Sequence, residues 1–268
     1  MVNNHGTELE LGWKDNIGDF TYSITGNLST VHNKVKEGTS ADRVPGQKIW
    51  SSYDVTYFEE GYPLWYLRTF VVDHIDQQTG AAVYKDLDGN GEITAEDRTM
   101  TGSGIPDYTY GITVNMAYKG FDFMLLGSGA QGVERLYALN RADALQQNTL
   151  AEFYTQAWHD SNSTGYKYPK PNANDPYYKV SNMRVYDASF FKIKQIQFGY
   201  SLPKSFIKKF GMSTLRAYVS LDDFFTFTSY PGLDPEVSHA GASTDGLGVD
   251  FGSYPISRKV VFGVNVSF

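Results

Sequence analysis

The chain has 268 residues, a formal net charge of −7, no cysteine, and aromatic residues at 15% of its positions. The acidic balance argues against a nucleic-acid-binding surface, which needs a basic stripe, and the lack of cysteine excludes disulfides, thiolate metal sites and cysteine nucleophiles. No apolar run approaches the roughly 18 residues of a transmembrane helix; the many glycines and aromatic residues favour β structure with tight turns.

The first predicted elements are two strands of a hairpin. Apolar and polar residues alternate in TELELGWKD, where Leu9, Leu11 and Trp13 share one face, and again in FTYSITGNLSTV. A period of two places the apolar residues on one side of a sheet. We expect residues 15–18 to form the turn between the two strands.

A long connection, about residues 32–107, follows this hairpin. It includes the strand-like segment LWYLRTFVVDHI, which we place inside the connection because a membrane crossing here would break the alternation of short and long links. Trp50 and Trp65 in this connection, and Trp158 in a later one, are candidates for stacking on sugar rings of a substrate. The alternative is that these tryptophans pack within the loops.

Residues 86–97, DLDGNGEITAED, match the calcium-loop pattern D-x-[DN]-x-[DN]-G. Oxygen ligands at this spacing surround a hard cation. The predicted ligands of a structural Ca²⁺ are Asp86, Asp88, Asn90, the backbone carbonyl of Glu92, and Asp97. An aspartate at the last position, where a bidentate glutamate is usual, predicts a weaker site. The alternative is an acidic turn that binds no metal.

A second hairpin is predicted from YTYGITVNMAY and FDFMLLG, joined by Lys119 and Gly120. The apolar face of its first strand begins with Tyr108 and Tyr110 and ends with Tyr118. Aromatic residues at both edges of an apolar band are typical of a strand that faces lipid in an outer-membrane barrel.

Three more strands are predicted from FFKIKQIQFGY, STLRAYVSLDDFFTF and RKVVFGVNVSF. The alternation slips in the first of these, which predicts a β-bulge near Lys194 and Gln195. Between the first two lies SLPKSFIKKFG, where Pro203 and Gly211 predict the start and end of a short helical turn.

Seven strands of barrel-spanning length thus alternate between short and long connections. The short links are at residues 15–18, 119–120 and around Pro203; the long ones cover about residues 32–107, 128–187 and 229–257. Outer-membrane barrels have brief periplasmic turns and extended extracellular loops. The pattern therefore predicts an antiparallel transmembrane β-barrel segment.

Several stretches resemble SusC/RagA-type TonB-linked outer-membrane transporters. The similarity is most specific in DLDGNGEITAEDRTMTGSGIPDYTYGITVNMAYKGFDF, which resembles the family's calcium-like loop, P-D-x-T-Y-G strand and Y-K-G-F-D turn. It continues in SFFKIKQIQFGYSLPKSFIKKFGMSTLRAYVSLDDFFTFTSYPGLDPEV and in DFGSYPISRKVVFGVNVSF, and NNHGTELELGWKDNIGDFTYSITGNLS looks like an earlier hairpin.

The resemblance implies a plugged barrel of about 22 strands in the bacterial outer membrane, surrounded by lipid and working beneath a SusD-like surface lipoprotein. It also implies import of glycans or oligopeptides, energy supplied by the TonB complex, and no catalytic residues. No plug or TonB box is visible, so we expect residues 1–268 to be the C-terminal part of the barrel, as a truncated gene product or a partial sequence, inert alone. The aromatic last strand would be the family's assembly signal.

Two other classes of protein are weighed against this interpretation. One is a soluble β-sandwich that binds carbohydrate with calcium support. The other is a β-rich glycosidase, which would need two carboxylates about 5–9.5 Å apart, whereas the adjacent pairs Asp222–Asp223 and Glu59–Glu60 point to opposite strand faces. The direction of the apolar faces distinguishes a barrel from a sandwich. In a sandwich, the apolar side chains interdigitate between two sheets. In a barrel, six of them point outward, namely Tyr110, Ile112, Val114, Phe262, Val264 and Val266.

Overall fold

The computed structural model describes residues 1–37, 43–50, 52–139, 150–160, 163–172, 174–175, 177–236 and 244–268. The strands are β1 Val2–His5, β2 Glu8–Ile17, β3 Phe20–Thr30, β4 His32–Val35, β5 Arg43–Pro45, β6 Lys48–Ile49, β7 Tyr53–Asp54, β8 Thr56–Glu59, β9 Tyr66–Phe70, β10 Val72–Ile75, β11 Ala82–Tyr84, β12 Arg98–Gly102, β13 Tyr108–Tyr118, β14 Phe121–Gln131, β15 Glu134–Tyr137, β16 Val185–Asp187, β17 Phe190–Ser201, β18 Thr214–Thr228, β19 Val249–Asp250 and β20 Lys259–Ser267.

The helical segments are short. They are α1 Ala151–Thr155, α2 Lys204–Ile207 and 3-10 turns at Ala95–Asp97, Tyr178–Val180, Asn182–Arg184, Lys208–Phe210 and Thr244–Gly246. Within the described ranges, no helix has both the length and the apolar character needed to cross a membrane.

Seven strands form one antiparallel sheet, which we call the wall sheet. Its order is β2-β3-β13-β14-β17-β18-β20, and each neighbouring pair is antiparallel. These are the seven strands predicted from alternating apolar and polar residues. The prediction of an all-β, antiparallel fold is therefore confirmed.

The registers place apolar residues from all seven strands on the same side, which we call the apolar face. Tyr110 pairs with Leu28 and Gly129, for example, and Val114 pairs with Ile24 and Leu125. Paired residues in a sheet point to the same side. The other side, the polar face, carries Thr, Ser, Asn, Gln, Lys, Arg and Asp side chains.

The three short links lie at one end of the wall sheet, as predicted, and the three long connections lie at the other. The first turn is shifted, however, from residues 15–18 to Gly18 and Asp19. Asp15 and Asn16 look like turn residues, but they continue β2 by pairing with Tyr22 and Thr21. Gly18 has a φ of 60°, a conformation that glycine adopts without steric cost.

The predicted irregularities in the last strands are present. The pairing of β17 with β14 and with β18 shifts between Ile193 and Gln195, which confirms the bulge near Lys194. Opposite it, Asp223 has a φ of 57°. The short helical turn is confirmed as α2 and the 3-10 turn that follows it, and Gly211 ends it in the left-handed conformation with a φ of 73°.

The long connections pack together into what we call the loop body. It contains a four-stranded sheet in the order β12-β9-β8-β5 and a three-stranded sheet in the order β16-β15-β19. The segment LWYLRTFVVDHI supplies β9 and β10, so its placement within the first connection is confirmed.

The buried core of the described chain lies mainly in this loop body. One hydrophobic cluster joins residues from all three long connections, including Leu67, Leu136 and Val249, each with 0% of its surface exposed. A second cluster includes Tyr137, Phe153 and other loop residues, and it reaches the wall sheet at Ala130 and Phe190. The loops are therefore folded against one another rather than separately.

Candidate functional site

The apolar face of the wall sheet is exposed in this chain. Trp13, Phe198 and Phe262 keep 64%, 49% and 80% of their surface exposed. Neither buried hydrophobic cluster described for the chain includes a residue of this face. An extended exposed apolar surface of this kind marks contact with a membrane or another protein.

Aromatic rings concentrate at the two ends of the apolar face. At the long-connection end, the rings of Tyr110 and Phe191 stack with centroids 5.9 Å apart and an angle of 4° between their planes. At the short-link end, the centroids of Phe121 and Tyr200 are 4.5 Å apart. Aliphatic residues such as Val114 occupy most of the middle, where Trp13 on β2 is an exception. This distribution is that of the aromatic girdles of outer-membrane barrels.

A glycine makes room for the girdle at the long-connection end. A Cβ atom on Gly129 would lie 2.5 Å from the carbonyl oxygen of Phe190 and 2.5 Å from Cζ of Tyr110. The Tyr110 ring therefore lies directly over the backbone of β14. Any side chain at position 129 would displace it.

The polar face carries a cluster of charged side chains at the bulge. Lys192 Nζ lies 3.1 Å from Asp234 Oδ2 and 2.9 Å from Glu236 Oε2, and Lys194 Nζ lies 2.6 Å from Glu236 Oε1 and 3.3 Å from Asp223 Oδ1. Lys192 has only 1% of its surface exposed. The cluster fixes the third long connection to the polar face of the wall sheet.

Hydrogen bonds and lysines lower the pKa of two carboxyls in this cluster, Asp234 and Glu236. Burial by itself would raise the pKa of the Asp234 carboxyl, but the amides of Glu236 and Ile256, together with Lys192, hold that pKa below its usual range. The pKa of Glu236 is likewise lowered against the effect of burial, by Lys194 and Lys192. From the loop side, Arg135 Nε donates to the carbonyl of Pro235 over 3.0 Å.

A second ion pair crosses the polar face nearer the short-link end. Arg216 Nε donates to Asp122 Oδ2 over 2.8 Å, and Nη2 donates to Oδ1 over 2.5 Å. The two side chains pass over Gly199, where a Cβ atom would lie 2.5 Å from Arg216 Nη2. The bidentate geometry gives this pair directional specificity.

The predicted calcium loop brings three of its carboxylates together. Asp86, Asp88 and Asp97 each offer one oxygen, and these oxygens all lie within 4.8 Å of one another. Asn90 accepts a hydrogen bond from the Glu92 amide over 2.7 Å, and the Glu92 side chain is exposed. Oxygen donors of this kind fit Ca²⁺, so the donor set is chemically suitable.

Asp97 also has a structural role in that loop. Its Oδ1 accepts a hydrogen bond from the Leu87 amide and its Oδ2 accepts one from the Thr94 amide, both over 2.7 Å. The Thr94 amide, followed by the amides of Leu87 and Asp88, holds the pKa of this carboxyl below its usual range, although burial acts in the opposite direction. Asp97 is buried, whereas Asp86 and Asp88 are exposed.

The loop is fixed to the loop body by long-range hydrogen bonds. Arg68 Nη1 donates to the carbonyl of Ala95 over 3.1 Å, and the hydroxyl of Tyr177 donates to the carbonyl of Ile93 over 2.8 Å. The loop therefore bridges the first and second long connections.

The three candidate tryptophans pack within the loop body and are not brought together. Trp50 donates from Nε1 to the carbonyl of Ala138 over 3.3 Å, and Trp158 donates to that of Gln77 over 3.1 Å with only 5% of its surface exposed. The Trp65 ring lies beside Phe58, with centroids 5.8 Å apart. The contacts of these tryptophans in the structure are with other residues of the loop body, and contact with a sugar stays a prediction.

The charge cluster at the bulge is absent from the sequence-based predictions. Its signal is present in FFKIKQIQF, where Lys192 and Lys194 interrupt an apolar strand. A charge in such a strand needs a partner. The partners, Asp234 and Glu236, are about 40 residues away in a predicted long connection, and no sequence spacing indicates that this segment folds back onto the strand, so the pairing requires the tertiary structure.

The comparisons with known proteins agree with this architecture. No protein-family model matches the chain. Over 198 residues it is 37% identical to the TonB-dependent receptor P3 of Formosa agariphila, a match that covers 72% of this chain and 19% of that receptor. The chain belongs to the SusC/RagA family of TonB-dependent receptors.

A further relative is the TonB-dependent receptor SusC of Bacteroides thetaiotaomicron, to which this SusC/RagA-family chain is 24% identical over its whole length. Among solved structures, the structure of the RagAB peptide transporter superposes on the entire chain with a TM-score of 0.81 at 22% identity. The match covers 29% of the transporter chain. The RagAB peptide importer in its closed-closed state gives a TM-score of 0.79. This chain spans only 19% to 26% of the length of the curated relatives.

Proposed function

We propose that this chain forms adjacent wall strands of a TonB-dependent transporter in the outer membrane. The whole transporter would import glycans or oligopeptides together with a SusD-like surface lipoprotein. The observation that carries the proposal is the continuous, exposed apolar face of a sheet whose opposite face is polar and charged. Lipid would contact the first face and an aqueous lumen the second.

The height of the apolar face supports this assignment. Tyr108 and Tyr118 mark its edges on β13, and the ten intervals between them span about 34 Å along an antiparallel strand. With a strand tilt of about 40°, the band would be roughly 26 Å tall, close to the roughly 25 Å of outer-membrane barrels.

The two edge strands of the wall sheet are an argument for a larger assembly. Among the described residues, β2 and β20 each have only one neighbouring strand in this sheet. Hydrocarbon does not tolerate unpaired backbone groups, so further strands would pair with both edges. We propose that these belong to the whole receptor, which would have about 22 strands and a plug. TonB would act through that remaining part.

The loop body would lie on the extracellular side, where a SusD-like lipoprotein could cover it and where substrate would enter. The names of the relatives support this only by analogy: the solved structures at 21–22% identity are of RagAB, a peptide transporter. The substrate class therefore stays a choice between glycans and oligopeptides. Uptake of a labelled glycan mixture and of labelled peptides by cells with and without the receptor gene would decide between them.

We also propose that residues 86–97 bind a structural Ca²⁺. Asp86, Asp88, Asn90 and Asp97 would supply side-chain oxygens, and Glu92 its carbonyl. The support is the convergence of three carboxylates within 4.8 Å. Bound calcium would neutralise this charge and stiffen the bridge between two long connections; it would have no catalytic role.

The alternative of a soluble, calcium-supported carbohydrate-binding sandwich has less support. A sandwich needs a second sheet against the apolar face, and the two hydrophobic clusters described for this chain lie elsewhere. A glycosidase has less support still. Asp234 and Glu236, the carboxylates that the third long connection places against the polar face, are neutralised by lysines rather than placed as a free acid–base pair.

The test compares two adjacent residues of β13 in the full-length receptor. Val114 is on the apolar face and Thr113 on the polar face. We expect Val114→Lys to lower the free energy of unfolding by about 2–4 kcal/mol, the cost of a lysine at the lipid midplane. Thr113→Lys should change it by about 0.5 kcal/mol or less. Denaturant titration in detergent or lipid measures both, and equal effects of the two lysines would contradict the proposal.

A further inference from the structure

The helical turn between β17 and β18 presents two phenylalanines and three lysines on its surface. Phe206 and Phe210 are 51% and 60% exposed, and their ring centroids are 5.6 Å apart. Lys204, Lys208 and Lys209 are also exposed. Two adjacent aromatic rings exposed to solvent are unfavourable unless a partner covers them.

The three lysines are not neutralised by the protein. None of them forms an ion pair with another residue of the described chain. The segment SLPKSFIKKFGMST contains no aspartate or glutamate, although the chain as a whole has a net charge of −7. The neighbouring turn differs, because Lys119 there lies 3.9 Å from Asp19. The helical turn therefore carries an excess of positive charge that no neighbouring carboxylate compensates in the described chain.

The turn is firmly attached to the wall sheet. Ile207 is 1% exposed, and within the turn its carbonyl accepts a hydrogen bond from the Met212 amide, which closes the end of the turn. The Leu202 amide donates to Leu215 over 2.9 Å, and the Ser213 amide donates to Ser267 over 2.7 Å. The aromatic and basic residues are therefore presented in a fixed position and not on a loose loop.

The turn also continues an established edge of the apolar face. It follows β17 directly, and the last residues of that strand include Phe198 and Tyr200, which belong to the aromatic girdle at the short-link end. Phe121 of the same girdle lies 5.7 Å from Phe198, centroid to centroid. In the proposed transporter, this girdle would mark the inner boundary of the hydrocarbon, and the turn would lie at the level of the lipid headgroups.

We infer that the helical turn is a binding surface for anionic phospholipid of the inner leaflet of the outer membrane. Phe206 and Phe210 would enter the boundary between headgroups and acyl chains, and the three lysines would bind lipid phosphates. Exposed aromatic residues combined with lysines are the composition of interfacial anchors. The inference rests on the proposed membrane location, and it adds a lipid-recognition site to it.

The test uses the full-length receptor in lipid nanodiscs, with a fluorescent label on a single cysteine. This chain has no cysteine of its own, and Ser205→Cys places the label between Lys204 and Phe206. Quenching is measured with equal fractions of 5-doxyl phosphatidylglycerol or 5-doxyl phosphatidylcholine. A label at Gln78→Cys, exposed at the other end of the molecule, is the control and should be quenched by neither lipid.

We expect phosphatidylglycerol to quench the Ser205 label more strongly than phosphatidylcholine. Neutralisation in K204Q/K208Q/K209Q should lower this preference by up to about fivefold for each lysine, and salt should weaken it. F206S/F210S should reduce quenching by both lipids alike. The charge control K34Q/K36Q, at the opposite end, should have no effect.

The outcomes separate this inference from the proposed function. A receptor that inserts and folds, but whose Ser205 label is unquenched by either lipid, would overturn the inference and show that the turn faces water or a protein. Equal quenching by both lipids that does not respond to K204Q/K208Q/K209Q would overturn recognition of the anionic headgroup. Failure of the receptor to insert into lipid would overturn both proposals.

Discussion

Lys192 and Asp234 form an ion pair of 3.1 Å in which both side chains are almost fully buried, with 2% and 6% of their side-chain surface exposed. The pair joins β17 to the third long connection. Removing one member of such a pair leaves a charge with no compensation, which costs far more than the net contribution of the intact pair. The stability of the loop body on the wall sheet should therefore depend on this contact.

The first prediction concerns Lys192→Met in the full-length receptor. The substitution leaves Asp234 buried without its cation, and we expect the free energy of unfolding to fall by about 3–5 kcal/mol, measured by denaturant titration. Lys48→Met is the control, because its ion pair with Asp54 is 3.8 Å long and more exposed and should be worth about 1 kcal/mol or less. Similar losses in the two variants would contradict the prediction.

The second prediction is a dependence of stability on pH. Hydrogen bonds and Lys192 depress the pKa of Asp234 in the folded state, so its contribution to stability is complete above the unfolded pKa of about 3.9 and is lost as the pH falls through the folded pKa. We expect the midpoint of unfolding to decrease below about pH 4. Asp234→Asn should flatten this decrease, whereas Glu10→Gln, at an exposed position on β2, should leave it unchanged.

The third prediction separates metal binding from loop folding. Asp88→Ala removes a candidate calcium ligand whose side chain accepts hydrogen bonds only from Asn90 in the described structure, so it should abolish calcium binding with little loss of stability in EGTA. Asp97→Ala removes the acceptor for the Leu87 and Thr94 amides and should lower stability by about 1–3 kcal/mol even in EGTA.

Calorimetric titration with Ca²⁺ and thermal unfolding with and without EGTA provide the measurements for these two variants. Glu92→Gln is the control, because only the backbone carbonyl of residue 92 is a predicted ligand, and it should bind normally. If the parent receptor shows no calcium-dependent heat or shift in unfolding temperature, the loop is an acidic turn without a metal.

The fourth prediction concerns the close approach of Tyr110 to β14. A methyl group in Gly129→Ala would lie 2.5 Å from the carbonyl oxygen of Phe190, a backbone atom that cannot move without disturbing the sheet. We expect a loss of about 1–3 kcal/mol. Gly26→Ala on β3, where the nearest atom is 3.8 Å away, should be nearly neutral. Equal tolerance at both positions would show that the strand relaxes around the new methyl group.

The wall strands were predictable because each has a long alternation with a period of two, which depends only on the faces of a sheet. The bulge at Lys194 was predictable for the same reason, since an extra residue reverses the alternation. The first turn was misplaced because Asp15 and Asn16 have the composition of turn residues, whereas the left-handed conformation of Gly18 decides where the chain reverses.

The loop body was not predictable in detail. Its strands are only 2–5 residues long, too short for a periodic signal, and its core combines residues that are far apart in sequence, such as Leu67 and Val249. The candidate tryptophans show the same difficulty. Whether Trp158 contacts a ligand or packs over Gly80 depends on its tertiary neighbours. In the structure, Trp158 packs over Gly80.

The common core of the loop body has a consequence for the exchange of loops between related receptors. Because Leu67, Leu136 and Val249 come from three different connections and fill one cluster, a chimera that exchanges one connection with a relative would leave mismatched side chains in a shared interior. Productive grafts would have to exchange all three connections as a set. Sequence divergence within the loop body should therefore proceed either by such block exchanges or through side chains on the outer surface of the unit.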